Sequence, residues 1–179
     1  MSIGTVFLGF QTVSSTNSTI KPHIIMSTTS ESVSVVKDLV EIINDRIEGY
    51  ERATKDVEMS DTDLKMMFSN LIQESRSFRE ELQGEVLRMG GEPEKGTTIS
   101  GQIHKAWMDL KSAVTGQDRE AILESCHFGD SAAVAAYEKA ISDEDTPTDL
   151  KSMLTRQLRS IESSRDRIGT YLRSASASR

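Results

Sequence analysis

At 179 residues and 19.8 kDa, the chain is long enough for one domain with a real hydrophobic core and too short for two large ones. With 36% apolar and 27% charged residues, three prolines and eleven glycines, it is not collagen-like, disulfide-stapled or plainly disordered; a soluble, helical globule remains. The 28 acidic against 21 basic residues leave a net charge of −7, which argues against nucleic acid or anionic membrane as partners, and the single Cys126 fits a reducing, cytoplasmic setting.

The first thirty residues hold no Asp or Glu, one Lys and a dozen Ser or Thr, and they lack a helical apolar period. They are expected to form a disordered tail, with organelle targeting as the alternative and Met26 as an internal start. The apolar run Val6 to Phe10 is far short of the roughly 20 residues a membrane helix needs. A single bundle over residues 31–174 and a disordered end at 175–179 complete the expected organisation.

From Val36 the pattern is helical: Val36, Val40, Ile43, Ile47, Tyr50 and Val57 step by fours and threes, missing one beat at Thr54. A second helix follows Ser60, whose spacing to Asp63 predicts a capping box, and carries the stripe Leu64, Phe68, Leu71, Ser75, Phe78, Leu82 and Met89 before Gly90-Gly91 stops it. A polar loop leads to a short helix in the crossover, with Ile103, Trp107, Leu110 and Val114 on one side. The third long helix, from about Asp118, shows Leu123, Cys126, Asp130, Ala133, Tyr137 and Ala140 at the same spacing. In the fourth, Thr146-Pro147 places a cap before a proline at the first helical position, and the stripe is Leu150, Leu154, Ile161, Ile168 and Leu172.

The halves repeat. Tyr50-Glu51-Arg52-Ala53 is answered by Tyr137-Glu138-Lys139-Ala140 at an offset of 87, and Asp63-Leu64-Lys65 by Asp149-Leu150-Lys151 at an offset of 86. Two duplicated helical hairpins joined by a long link give an all-α four-helix bundle in which helices two and three run parallel and the short extra helix lies in the crossover.

The segments Ile47-Glu48-Gly49-Tyr50-Glu51-x-Ala53, His104-x-x-Trp107-Met108-Asp109-Leu110-Lys111 and Ala136-Tyr137-Glu138-Lys139-Ala140 carry a resemblance. The chain resembles a largely bacterial, uncharacterised ferritin-like four-helix-bundle domain family, over about Val36 to Tyr171. The resemblance implies the fold and little chemistry. Ferritin-like proteins that bind two irons use an inward Glu on each of two helices and Glu-x-x-His on the other two. Here Asp130 falls on the core stripe where an inward carboxylate belongs, while its repeat counterpart is Ile43. Glu162-x-x-Arg165 has the right spacing but ends in arginine, and Arg79, preceded by Arg76, stands at the matching point of helix two. Arginine offers no lone pair and brings a fixed positive charge.

An interior salt bridge is therefore expected, with Asp130 near the level of Ile161 and within reach of Arg165. Asp130, Arg165, Arg79 and Glu162 are the buried polar candidates, and no catalytic, cofactor or metal residue is assigned. Cys126, His127 and Asp130 form the best local donor cluster, read as a packed thiol beside a boundary histidine. Trp107, with His104 at its rim, is expected to dock the crossover helix.

Three functions stay open. The first is a non-catalytic structural, interaction or stress-associated bundle that self-associates as a homodimer or higher oligomer. The second is a degenerate metalloprotein with iron-oxidase or peroxide-consuming activity, holding iron or manganese on Asp130, Glu162 and Glu48 or Glu51. The third is a small-molecule binder at the polar gap of Ser75, Ser164 and Asp130.

Overall fold

A computed structural model describes residues 22–92 and 119–177. Among the described residues there are four helices: α1 (Pro22–Asp56), α2 (Thr62–Arg88), α3 (Arg119–Ser142) and α4 (Thr148–Ala177). No strand occurs among the described residues. The expected crossover helix, with Trp107 and His104, lies outside them.

Two ends can be fixed from side-chain contacts. Arg119, opening α3, pairs with Asp61 and Asp63 at the start of α2, so these helices begin at the same end and run parallel. At the other end, Ser32 of α1 donates to the Asp145 carbonyl in the α3–α4 turn, and Arg88 at the end of α2 reaches Asp149 at the start of α4. The α1–α2 hairpin thus lies against the α3–α4 hairpin, with α1 packed on α3, and α2 and α4 approaching closely at few points. This is a four-helix bundle of two hairpins.

The core follows a strict heptad seam. On α1 it is Val36, Leu39, Ile43, Arg46, Tyr50, Ala53 and Val57, all buried and stepping by three and four without a missed beat. The duplication offset of 87 maps the first six onto Leu123, Cys126, Asp130, Ala133, Tyr137 and Ala140, also buried. On α2, Leu64, Phe68, Leu71, Ser75, Phe78 and Leu82 correspond at an offset of 86 to Leu150, Leu154, Gln157, Ile161, Ser164 and Ile168. The apparent gap at Thr54 disappears because the register runs through Ala53. Arg46 therefore belongs to the interior, and so does Gln157, neither of which was on the expected stripes.

The helix ends differ from expectation in four places. Residues 22–30 belong to α1 rather than to a tail; Pro22 opens the helix, where a residue without an N–H is at home. Ser60 caps nothing: Asp61 holds the N-cap place of α2 without a side-chain cap bond, and its carboxylate is spent on Arg119, while Ser60 bonds Glu58. Pro147 sits one place before α4, accepting the first helical bond from Lys151, and Thr146 turns back to donate to the Ala140 carbonyl. At the C-terminus, α4 continues to Ala177, through part of the expected disordered end.

The α2 stop is a Schellman motif. Gly90 has φ +78, its N–H bonds the Leu87 carbonyl, and the Gly91 N–H bonds the Val86 carbonyl. Gly91 also lets the turn close onto α1: a Cβ there would lie 2.7 Å from the Val33 side chain.

Candidate functional site

Among the described residues a cluster of charge is buried at mid-bundle. Arg46 of α1 and Asp130 of α3 are each 1% exposed at the side chain, with Arg46 Nε 2.8 Å from Asp130 Oδ1. Tyr50, one helical turn after Arg46, donates from its hydroxyl to the other carboxylate oxygen, Oδ2, at 2.7 Å. From α2, Ser75 accepts from Arg46 Nη1 at 2.5 Å and donates to the Leu71 carbonyl. Glu74 Oε2 stands 3.7 Å from Nη1, and its second oxygen accepts from Ser160 of α4. All four helices therefore meet at this level. The guanidinium also lies 5.2 Å from the centre of the Tyr50 ring, which packs against Phe68 at 5.5 Å between centroids.

The electrostatics follow from burial. Burial works against the charge on Arg46, and the surrounding Asp130, Tyr50 and Glu74 outweigh it and hold the guanidinium above its ordinary pKa. Burial lifts the Asp130 carboxyl above its usual range despite the opposing pull of Arg46 and the hydrogen bonds it accepts. Tyr50 is pushed well up, first by burial and then by the Asp130 charge, so it stays a phenol and a donor. Burial and Asp130 likewise push the Cys126 thiol upward, away from the reactive thiolate.

Sequence reasoning located Asp130 inside but gave it the wrong cation. Arg165 does not reach it; its guanidinium is 29% exposed and bonds the neighbouring Asp166. The α1–α3 packing carries Arg46 to Asp130 instead. Arg79 is half-buried and donates to Asn44 at 3.4 Å, and Arg76 pairs with Glu51 on the surface. Glu162 is half-buried on α4, and Glu48 is exposed and paired with Arg52. The carboxylates named for a degenerate metal site are thus not brought together with Asp130, and no group of three or more His, Cys, Asp or Glu with metal-holding geometry occurs among the described residues. His127 lies against α4, where a Cβ on Gly169 would sit 3.5 Å from its ring. The polar gap at Ser75, Ser164 and Asp130 is satisfied internally, Ser164 donating to the Ser160 carbonyl.

The two repeats differ at this level. The places equivalent to Asp130, Arg46 and Ser75 hold Ile43, Ala133 and Ile161. One half of the bundle interior is therefore ionic and its equivalent apolar. Tyr137, the counterpart of Tyr50, faces no carboxylate at Ile43 and donates to Gln157 Oε1 at 2.7 Å. Gln157 hands the chain on to Glu81 at 2.9 Å, which also receives Arg156. A buried tyrosine hydroxyl is met in each half, by different means.

The donor set does not suit a di-metal centre. At the equivalent seam places of α3 and α1 stand Asp130 and Ile43, so one of the two inward carboxylates is missing there, and the cation that Asp130 holds is a permanently protonated side chain. Neither α2 nor α4 supplies a histidine at the required place.

A family model described as a domain of unknown function, DUF2383, matches residues 31–143, and the chain belongs to that family. No curated protein matches the sequence. Among solved structures, a mutant of Dps1 from Mycobacterium smegmatis is similar with a TM-score of 0.72 at 17% identity, covering 82% of this chain and 97% of that one. A two-domain protein from Anabaena variabilis, containing DJ-1/ThiJ/PfpI-like and ferritin-like domains, is similar with a TM-score of 0.65 at 17% identity, over 82% of this chain and 40% of that one.

Proposed function

Proceeding from membership of DUF2383, we propose that the protein is a ferritin-like bundle turned from metal chemistry to a structural, interaction or stress-associated role exercised through self-association. The observation that carries this is the Arg46 guanidinium, fully interior and bonded to Asp130, the one inward carboxylate of the seam. A metal ion at that carboxylate would have to displace a bonded cation or sit beside it, at a heavy electrostatic cost in a low-dielectric interior. Tyr50 and Ser75 add hydrogen bonds to the pair, which help a buried ion pair to persist, although Arg46 Nη2 is buried without a hydrogen-bond partner.

Ferrous iron oxidation provides the test. The purified full chain is expected to oxidise added Fe(II) no faster than buffer alone, and native mass spectrometry of protein made without chelator is expected to show no stoichiometric iron or manganese. Two bound ions per chain, or an oxidation rate that disappears in Asp130→Ala, would overturn the reading in favour of a degenerate metalloprotein.

A further inference from the structure

The outward face of α3 differs from the heavily charged one of α4. On α4 that face carries Asp149, Arg156, Arg159, Asp166, Arg167 and Arg173, all exposed. On α3, between Glu124 and Glu138, it carries no charged side chain. Phe128 projects from it, 39% exposed, with Ala135 exposed two turns along and Ser131 and Ala132 half-buried between them. Glu124, Phe128, Ala135 and Lys139 lie within about 60° of one another around an ideal helix, directly opposite the buried seam of Cys126, Asp130, Ala133 and Tyr137. Exposed Glu124 and Lys139 close the patch at its two ends, and neither makes an ion pair among the described residues.

This arrangement is self-complementary. If α3 meets α3 of a second copy antiparallel about a two-fold axis passing between Ser131 and Ala132, Glu124 of each chain falls opposite Lys139 of the other. Phe128 then falls at the level of Ala135 of the other chain, where the small side chains leave room for a ring. The charged ends fix the register, and the apolar centre excludes water. Two chains of net charge −7 repel over most of their surfaces, and the uncharged α3 face lets them approach with less penalty than a charged one. We infer that the protein forms an isologous dimer through α3, with Phe128 as the anchor and Glu124 and Lys139 as reciprocal ion pairs between copies. The inference rests on the self-association reading and names its surface.

Sedimentation equilibrium of the full chain tests it. A reversible equilibrium between 19.8 kDa and twice that mass is expected. Phe128→Glu, Glu124→Lys and Lys139→Glu should each weaken dimerisation by on the order of tenfold or more, since the charge reversals set like charges together. The double reversal Glu124→Lys with Lys139→Glu should restore it, because the pairs reform with exchanged signs. In addition, Ala132→Cys, close to the two-fold axis, should give a disulfide-linked dimer under mild oxidation, whereas wild-type Cys126 is buried and should give none. All these side chains but Ala132 are exposed, and circular dichroism should report an unchanged helix content. A chain that stays monomeric, a dimer indifferent to Phe128→Glu, or a double reversal that fails to recover overturns the proposal. A dimer indifferent to these substitutions would remove this interface and leave self-association standing; a monomer would remove both, and an iron-oxidising dimer that responds to them would overturn the non-catalytic reading alone.

Discussion

At the scale of single residues, the defining feature is a guanidinium and a carboxylate brought out of water and matched to each other. Such a pair stabilises the fold little by comparison with a well-packed apolar replacement, but losing one member strands the other. Asp130→Asn is therefore expected to destabilise the protein by about 3–5 kcal/mol, because Arg46 would remain buried and charged. Replacing both, as Arg46→Met with Asp130→Leu, is expected to recover most of that loss. The other half of the bundle already lives with Ile43 and Ala133 at the equivalent places. Urea unfolding of wild type, single and double variants measures the three stabilities, and a double variant as unstable as the single would contradict the argument. Asp130 was legible in the sequence as an interior carboxylate because it sits on an otherwise apolar stripe. Arg46 was legible only through the skipped beat at Thr54, since a cation beside Ile47 ordinarily reads as the edge of a solvated face.

At the scale of elements, the heptad spacing accounts for the four long helices, and local chemistry for their ends. The α2 terminus is the clearest case. Gly90 adopts a left-handed φ that lets two amide N–H groups return to the carbonyls of Leu87 and Val86. Gly90→Ala places a Cβ in a conformation that costs an L-residue about 1–2 kcal/mol, partly offset by reduced freedom of the unfolded chain. A net loss near 1 kcal/mol is expected in thermal or urea unfolding, and an unchanged midpoint would show that the turn rearranges instead. The capping box predicted at Ser60 failed for a physical reason: Asp61 is drawn to Arg119 of α3, a contact between residues far apart in the chain, and local pattern cannot anticipate it.

At the scale of the whole molecule, the α2–α4 seam is held by polar bridges more than by close packing. Glu81 receives Arg156 and Gln157, Glu74 receives Ser160, and Arg88 reaches Asp149. Partial burial pushes the Glu81 carboxyl up, but the hydrogen bonds from Arg156 and Gln157 and the Arg156 charge hold it below its ordinary value of 4.5. A carboxyl depressed in the folded state contributes stability that is fully present above its unfolded pKa and is lost as pH falls through the folded value. Stability is thus expected to drop as the solution is acidified below about pH 4.5, and Glu81→Gln should flatten that part of the profile. Denaturation midpoints of both proteins across the acid range provide the comparison, and parallel curves would mean that Glu81 has no part in holding the seam. Among the described residues no helix is long and apolar enough to cross a membrane, in keeping with a bundle whose apolar surface faces inward.

By itself the sequence determined the helical class, the duplication, the parallel course of the second and third helices and the presence of a polar residue in the third. Each of these is written in the spacing of residues along one segment, or in the likeness of one segment to another. Only the tertiary structure decided which cation Asp130 holds and where Asp61 spends its carboxylate. Those outcomes depend on the rotation and level at which one helix packs against the next. That relation is fixed by the fit of many side chains at once, and no single stretch of the chain contains it.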